Sequence, residues 1–141
     1  MNQKRLQWFF DLAKAQARRS DVKYFHHGAV LARKSKIIET GFNHYVSNHD
    51  SCYIEYSALH AERDVIEKAL KRGCALRGAT IYVVRVNKRG QLRNSKPCQE
   101  CAKLILEHGI RRVFYSISET DALKQEIVSL EDVPRVCKDK Y

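Results

Sequence analysis

Apolar positions recur along this chain with two periods, and the switch between them marks the predicted elements. Leu6, Phe9 (or Phe10), Ala13 and Ala17 fall at helical spacing, so the first twenty residues predict an amphipathic helix with this stripe facing a core. AVLAR (29–33) and KIIETGF (36–42), joined by Lys34-Ser35, predict a two-stranded hairpin. From Asn43 to Tyr56 the chain is polar and keeps neither period, which predicts a long loop of the kind that is functional or disordered. Ser57 can cap a helix that runs to about Arg72 and is ended by Gly73. TIYVVRV (80–86) and RRVFYSI (111–117) are apolar runs rich in β-branched and aromatic residues, as expected of strands buried on both faces. Between them, Cys98, Cys101, Ala102, Ile105 and Leu106 occupy one face of a helix. Pro97 suits its first turn and Gly109 stands where it would stop. EIVSLEDV (126–133) predicts a weaker last strand ahead of a polar tail at about 134–141.

The order α-β-β-α-β-α-β-(β) implies a mixed sheet with helices on its faces. There is no internal repeat or low-complexity linker, and 141 residues suit a single domain over 1–141 with a real core. Only about eight residues separate the last two strands. A parallel return needs a dozen or more, so the last strand is expected to be antiparallel to its neighbour.

Composition adds a compartment and a class of partner. Five cysteines, an odd number, accompany an N-terminus with no uninterrupted apolar stretch of the signal-peptide kind. No run approaches the roughly 18 apolar residues of a membrane span. A reducing, intracellular setting, cytoplasmic or nuclear, is therefore expected, with no membrane partner. The first twenty residues carry five basic groups, as a transit peptide would, but Asp11 is out of place there and the core-facing stripe favours an ordinary helix. Net charge is +10, from 26 Lys+Arg against 16 Asp+Glu. That fits an anionic partner, a nucleotide phosphate or a nucleic-acid backbone, or else a solvated surface. The densest segment, RVNKRGQLRNSK (85–96), has five basic residues and no acidic one. Some of these cations are expected at a pocket mouth.

Two thiols in one helical turn suit half a metal site, a redox pair or two packed core residues. A tetrahedral zinc needs further ligands, and His60-Ala61-Glu62 begins the preceding helix as the cysteines begin theirs. One strand separates the two helices, so a right-handed crossover brings their starts to the same edge of the sheet. His60, Cys98 and Cys101 would then leave a fourth position for water, the pattern of a catalytic zinc. Helix starts also favour the thiolate. Glu62, two residues after His60, is placed for general acid/base work on that water. His60-Ala61-Glu62 with Pro97-Cys98-Gln99-Glu100-Cys101 is the H-x-E…P-C-x-x-C pattern of zinc nucleobase deaminases.

Over residues 26–117 the chain resembles the cytidine and deoxycytidylate deaminase superfamily. The resemblance implies a three-layer α-β-α cytidine-deaminase-like fold with a mixed five-stranded sheet. It also implies one zinc per chain and a homo-oligomer. Gly41-Phe42-Asn43 is similar to the family's Gly-aromatic-Asn, whose asparagine hydrogen-bonds the sugar; His27-Gly28-Ala29-Val30 resembles the pocket-lining first strand. By the same resemblance the backbone at Ala61 holds the pyrimidine, and the segment ending at Ser95 receives the leaving amine. The His-type first ligand is similar to deoxycytidylate, tRNA-adenosine and polynucleotide-editing deaminases. The short last connection instead resembles free-cytidine deaminases, so motif and topology point to different branches.

Other candidates carry less. His27, His44, His49 and Cys52 suggest a second metal only weakly, because histidines in a polar loop are ordinarily solvated. Cys74 and Cys137 read as surface or packing residues, and Tyr115 as core. The function expected is a zinc-dependent hydrolytic deaminase turning a cytosine base into uracil, in a free nucleotide such as dCMP. Two alternatives stand beside it. One is cytosine or adenine deamination on DNA or RNA. The other is a non-catalytic zinc-stabilised nucleic-acid-binding subunit, for which a proton shuttle at Glu62 has no use.

Overall fold

The computed structural model describes residues 3–23, 25–45, 58–117 and 125–129. Helix α1 (Gln3–Ala17) precedes the hairpin of β1 (His26–Arg33) and β2 (Lys36–Phe42). Two short strands, β3 (His44–Tyr45) and β4 (Ala58–Leu59), pair with each other ahead of α2 (Ala61–Lys71). There follow β5 (Thr80–Val86), the short β6 (Leu92–Arg93), α3 (Gln99–Glu107), β7 (Arg112–Ser116) and β8 (Gln125–Ser129). The main sheet runs β2-β1-β5-β7-β8, with β6 added on β5. Among the described residues only β5 and β7 are parallel, joined through α3; the other pairings are antiparallel. The sheet is mixed, with the five long strands expected and β6 besides. β8 is antiparallel to β7, as its short connection demands.

Strand alternation sorts the core onto two faces. Val30, Ala32, Tyr82, Val84, Val86 and Phe114 pack against Phe9, Phe10, Ala13 and Ala17 of α1. Ala29, Leu31, Ile81, Val83, Val113 and Tyr115 turn the other way, toward Val65, Ile66 and Ala69 of α2 and Ala102 and Ile105 of α3. Three layers result. The α1 stripe is the one its spacing predicts, and Tyr115 is core as expected. Helix α1 lies so close to β1 that a Cβ on Gly28 would run into the Ala13 carbonyl and the Ala17 amide. Only glycine fits there.

Element boundaries differ from the sequence expectation in informative places. The helix expected from residue 57 begins at Ala61, because Ala58 and Leu59 are extended and paired with Tyr45 and His44; Ser57 lies outside the described residues. His60 is its N-cap, with φ −69° and ψ 150°. Cys98 caps α3 in the same way, at φ −71° and ψ 172°, so Pro97 precedes the first turn and does not enter it. Strand β1 starts at His26, three residues before the apolar run, because His26 and His27 pair in the ladder with Val86 and Arg85. The basic segment is a hairpin, not an open loop. Asn87 donates its N–H to the Gln91 carbonyl (3.0 Å), and its Oδ1 accepts the N–H groups of Arg89 and Gln91, each at 2.9 Å. Gly90 closes the turn at φ +80°, a conformation other residues adopt only under strain.

Candidate active site

An N-cap side chain ordinarily satisfies the exposed N–H groups of a helix start. Neither His60 nor Cys98 makes such a bond; both side chains are turned toward each other. His60 Nδ1 lies 3.3 Å from Cys101 Sγ and 3.7 Å from Cys98 Sγ. One helical turn brings Cys101 back beside Cys98, and Cys101 is buried while His60 is exposed. All three donor atoms fall within 4.8 Å of one another. Bonds of about 2.0–2.3 Å to a tetrahedral zinc put ligand atoms roughly 3.3–3.8 Å apart, so the donor set fits that ion in chemistry and in size. These three side chains can hold a metal, and the uncapped helix N-termini favour the thiolate charge the metal requires.

The three groups are coupled through hydrogen bonds. Hydrogen bonds from Cys101, and then from His60, hold the Cys98 thiol far below its ordinary range, at about 3. The Cys98 thiolate in turn pushes the Cys101 thiol up, reinforced by burial. His60 is raised, first by its hydrogen bond to Cys98.

Glu62 is 3% exposed. Burial pushes its carboxyl up to about 7, and the Cys98 charge adds to that, against the pull of its own backbone N–H and of His60. Among the described residues no cation forms an ion pair with it. A carboxyl poised near neutrality can both take and give a proton.

A cavity of about 140 Å³ opens at this edge, lined by Val22, Phe25, His27, Asn43 and His60. His27 is held neutral: burial lowers it to about 4, and then Arg85 and His60 oppose its charging. Asn43 is 5% exposed and bridges the chain on both sides of it. Its Oδ1 accepts the His27 N–H at 2.8 Å and its Nδ2 donates to the Phe25 carbonyl at 2.7 Å. Ala61 is buried in the first turn of α2. Ser95 is also buried, but its hydroxyl is committed: it donates to the Val83 carbonyl at 2.8 Å and lies 2.9 Å from Ser116 Oγ. The larger cavity of about 580 Å³, between the β1–β2 turn and the end of α2, contains none of these residues.

The model of the cytidine and deoxycytidylate deaminase zinc-binding region matches residues 3–117. The chain belongs to that family. It is 29% identical over 129 residues to the deoxycytidylate deaminase of a Mycobacterium phage, covering 77% of this chain and 91% of that protein. It is 28% identical over 119 residues to ComE operon protein 2 of Bacillus subtilis, covering 78% of this chain but only 58% of that longer protein. In fold it resembles the dCMP deaminase of the cyanophage S-TIM5, solved in complex with dCMP and dUMP, with a TM-score of 0.70 at 20% identity over 97% of this chain and 94% of that one. The expected hydrolase class is that of the deaminase family. No helix among the described residues is long and apolar enough to cross a membrane.

Within this deaminase fold the sequence expectation missed a supporting residue. Asp64, 6% exposed, accepts the Phe42 N–H at 3.1 Å through Oδ2, and its Oδ1 lies 3.3 Å from His44 Nε2. Lys68 is 3.5 Å from Oδ2. Asp64 therefore holds both neighbours of Asn43, and Gly41 leaves room for it: a Cβ there would stand 2.7 Å from Oδ2. The only signal in the sequence was an acid inside the first turn of α2, which dipole complementarity explains equally well. Of the second-metal candidates, only His27 and His44 are among the described residues. His44 faces Asp64, no second group of three such side chains forms among the described residues, and His49 and Cys52 lie outside them. Cys74 is half-buried against the α2/α3 core, and Cys137 is outside the described residues.

Proposed function

We propose that the chain is a zinc-dependent hydrolytic deaminase that converts cytosine to uracil in a free nucleotide such as dCMP. The observation that carries this reading is Glu62: a buried carboxyl poised at about 7 beside the converged His60, Cys98 and Cys101 donors. A zinc-stabilised binding module needs the three donors but gains nothing from a buried acid, which is costly to fold.

One zinc, held by His60 Nδ1 and the two sulfurs, would supply the Lewis acidity that makes water acidic near neutral pH. Glu62 takes the proton from that water, whose oxygen bonds to C4 of the base. The same carboxyl passes that proton to the ring nitrogen, then takes the second proton from the new C4 hydroxyl and delivers it to the amine as the C4–N bond breaks, giving uracil and ammonia. Asn43 has a second amide N–H beyond the one given to Phe25, and this one reaches for a sugar hydroxyl. Neutral His27 lines the pocket without adding a charge beside the base. The backbone at Ala61, in the first turn of α2, holds the pyrimidine. Since the Ser95 hydroxyl is spent on Val83 and Ser116, contact with the leaving amine falls to the backbone of that segment.

The test is ammonia release by zinc-loaded protein from dCMP, CMP, cytidine, deoxycytidine, adenosine, single-stranded DNA and tRNA. Turnover greatest on dCMP is expected. No release from any of them, with one zinc per chain verified by metal analysis, would end this reading. Preference for a polynucleotide, with steep salt dependence, would transfer it to strand editing.

A further inference from the structure

Strand register, not loop position, decides which cations of the basic segment reach the site. His27 on β1 is paired with Arg85 on β5, and Arg85 with Arg93 on β6. Residues directly opposite on adjacent antiparallel strands project to the same face, with Cβ atoms about 5 Å apart. Ile81 and Val83, which alternate with Arg85, lie on the α2/α3 face, and His27 lines the cavity that His60 opens into. The row His27–Arg85–Arg93 thus runs outward from the pocket on the site face of the sheet. Lys88 and Arg89 are carried away in the turn of the hairpin.

Two guanidiniums side by side need a reason. No carboxylate among the described residues forms an ion pair with Arg85 or Arg93. Burial, and then Arg93, pull the Arg85 guanidinium below its ordinary value. Arg85 is nevertheless fixed in place. Its guanidinium carbon lies 4.4 Å from the centroid of Phe25, a cavity-lining ring that is 48% exposed. The strand bearing Arg93 is pinned as well: Ser116 Oγ donates to the Arg93 carbonyl at 2.6 Å and accepts the Arg85 N–H at 3.2 Å. Ser95 backs this serine from within the sheet. Buried hydroxyls therefore hold the strands that carry two guanidiniums without carboxylate partners at the pocket rim. Arg85 also donates to the Asn94 carbonyl at 3.4 Å, and Arg93 to the Leu92 carbonyl at 3.2 Å and Gln91 Oε1 at 3.4 Å, which leaves N–H donors on each planar fork for a multiply charged oxyanion.

We propose that Arg85 and Arg93, with Phe25 as the platform for Arg85, form the subsite for the 5′-phosphate of the substrate nucleotide. This rests on the deaminase reading and narrows it to phosphorylated substrates. Two forks at paired positions of adjacent strands suit one phosphate monoester; a strand of diesters would call on Lys88 and Arg89 as well.

The test compares the zinc-loaded wild type with Arg85→Gln, Arg93→Gln and the control Arg89→Gln, each checked for thermal unfolding and zinc content. Two pairs are measured: kcat/KM for dCMP against deoxycytidine, and Kd for dUMP against deoxyuridine, the second needing no turnover. Losing one charged hydrogen-bond donor should weaken the phosphorylated member roughly 10- to 100-fold, mainly in KM and Kd, and leave the nucleoside unchanged. Arg89→Gln should resemble the wild type, and Arg93→Lys should recover part of the loss. Equal losses on nucleotide and nucleoside, or an unaltered Kd for dUMP, overturn the subsite. So does an Arg89→Gln loss equal to the others together with a lower salt slope on single-stranded DNA, which assigns the row to a polynucleotide. Failure of the deaminase reading is separate: the wild type would then release no ammonia, whatever its preference for dUMP.

Discussion

On the α1 face of the sheet, Tyr82 lies between Phe9 and Phe114, with ring centroids 4.6 and 5.1 Å away and planes within 16° and 12° of parallel. Phe10 meets it edge-on at 6.1 Å, and burial pushes the Tyr82 hydroxyl up to about 12, so this layer stays neutral. Apart from Tyr115, the α2/α3 face is built from small and aliphatic residues, Ala29, Ala61, Ala69, Ala79 and Ala102 among them. It ends in two nearly buried carboxyl groups, Glu62 and Asp64. One face gains stability from aromatic area. The other gives up bulk so that two helix starts can meet, and it accepts buried charge where they do. Stability and chemistry are thus divided between the two sides of a single sheet.

Separating the faces by mutation gives the largest effects first. Cys98→Ala or His60→Ala should remove the one zinc per chain that metal analysis of the wild type is expected to find, while leaving the α1 layer packed; full zinc in either protein would mean the ligands are others. Phe9→Ala should cost about 3–5 kcal/mol of stability, measured by denaturant unfolding, and keep zinc stoichiometry wherever it stays folded. Metal loss from that folded protein would show that the faces are coupled.

Glu62→Gln should retain zinc and fold but lose about 10²-fold or more in ammonia release. The same variant isolates a pH effect in the metal-free protein. The folded-state pKa of Glu62 lies above its ordinary value of 4.5, at about 7, so the native state binds the extra proton between those values. The Glu62 contribution is therefore most favourable below about 4.5 and declines as pH rises through 7. The stability difference between wild type and Glu62→Gln should shift by about 2.5 kcal/mol in that direction from pH 5 to 8. A difference independent of pH would show that Glu62 titrates normally. Comparing the two proteins matters because the depressed Cys98 thiol contributes a slope of the opposite sign.

The smallest effect is expected at Asp64. Asp64→Ala strands the Phe42 N–H and should cost about 1–3 kcal/mol, with a raised KM through the Asn43 turn and little change in kcat. Asp64→Asn, which keeps an acceptor, should recover most of the KM. Equal falls in kcat and in thermal stability for both variants would reduce Asp64 to a structural role.

Much of this architecture was legible because it is local. The α1 stripe, the buried strands and the helix stop at Gly73 follow from periodicity and turn chemistry within a few residues. His60, Glu62, Cys98 and Cys101 stood out as candidates for a related reason: their types and spacings within two helix starts leave few chemical alternatives, and the fold brings the three donors together. The start of α2 was misplaced because β3–β4 pairing, a contact across the polar loop, overrides a good capping residue. Asp64 was missed, and the bonding of the Ser95 hydroxyl was not foreseen, for a similar reason. A buried acid's partner on another strand, or a serine's commitment to Val83 and Ser116, has no signature near it in the chain.

The sequence by itself determined the elements, the three donors and the acid beside them, because each is specified by neighbours one or two helical turns away. Tertiary structure decided how those parts face one another. It drew His60 Nδ1 to 3.3 Å from Cys101 Sγ, lifted Glu62 toward neutrality by burial, and chose Arg85 and Arg93 from five basic residues through strand register. Distance, dielectric and register belong to pairs of residues remote in the chain, and only folding brings such pairs together.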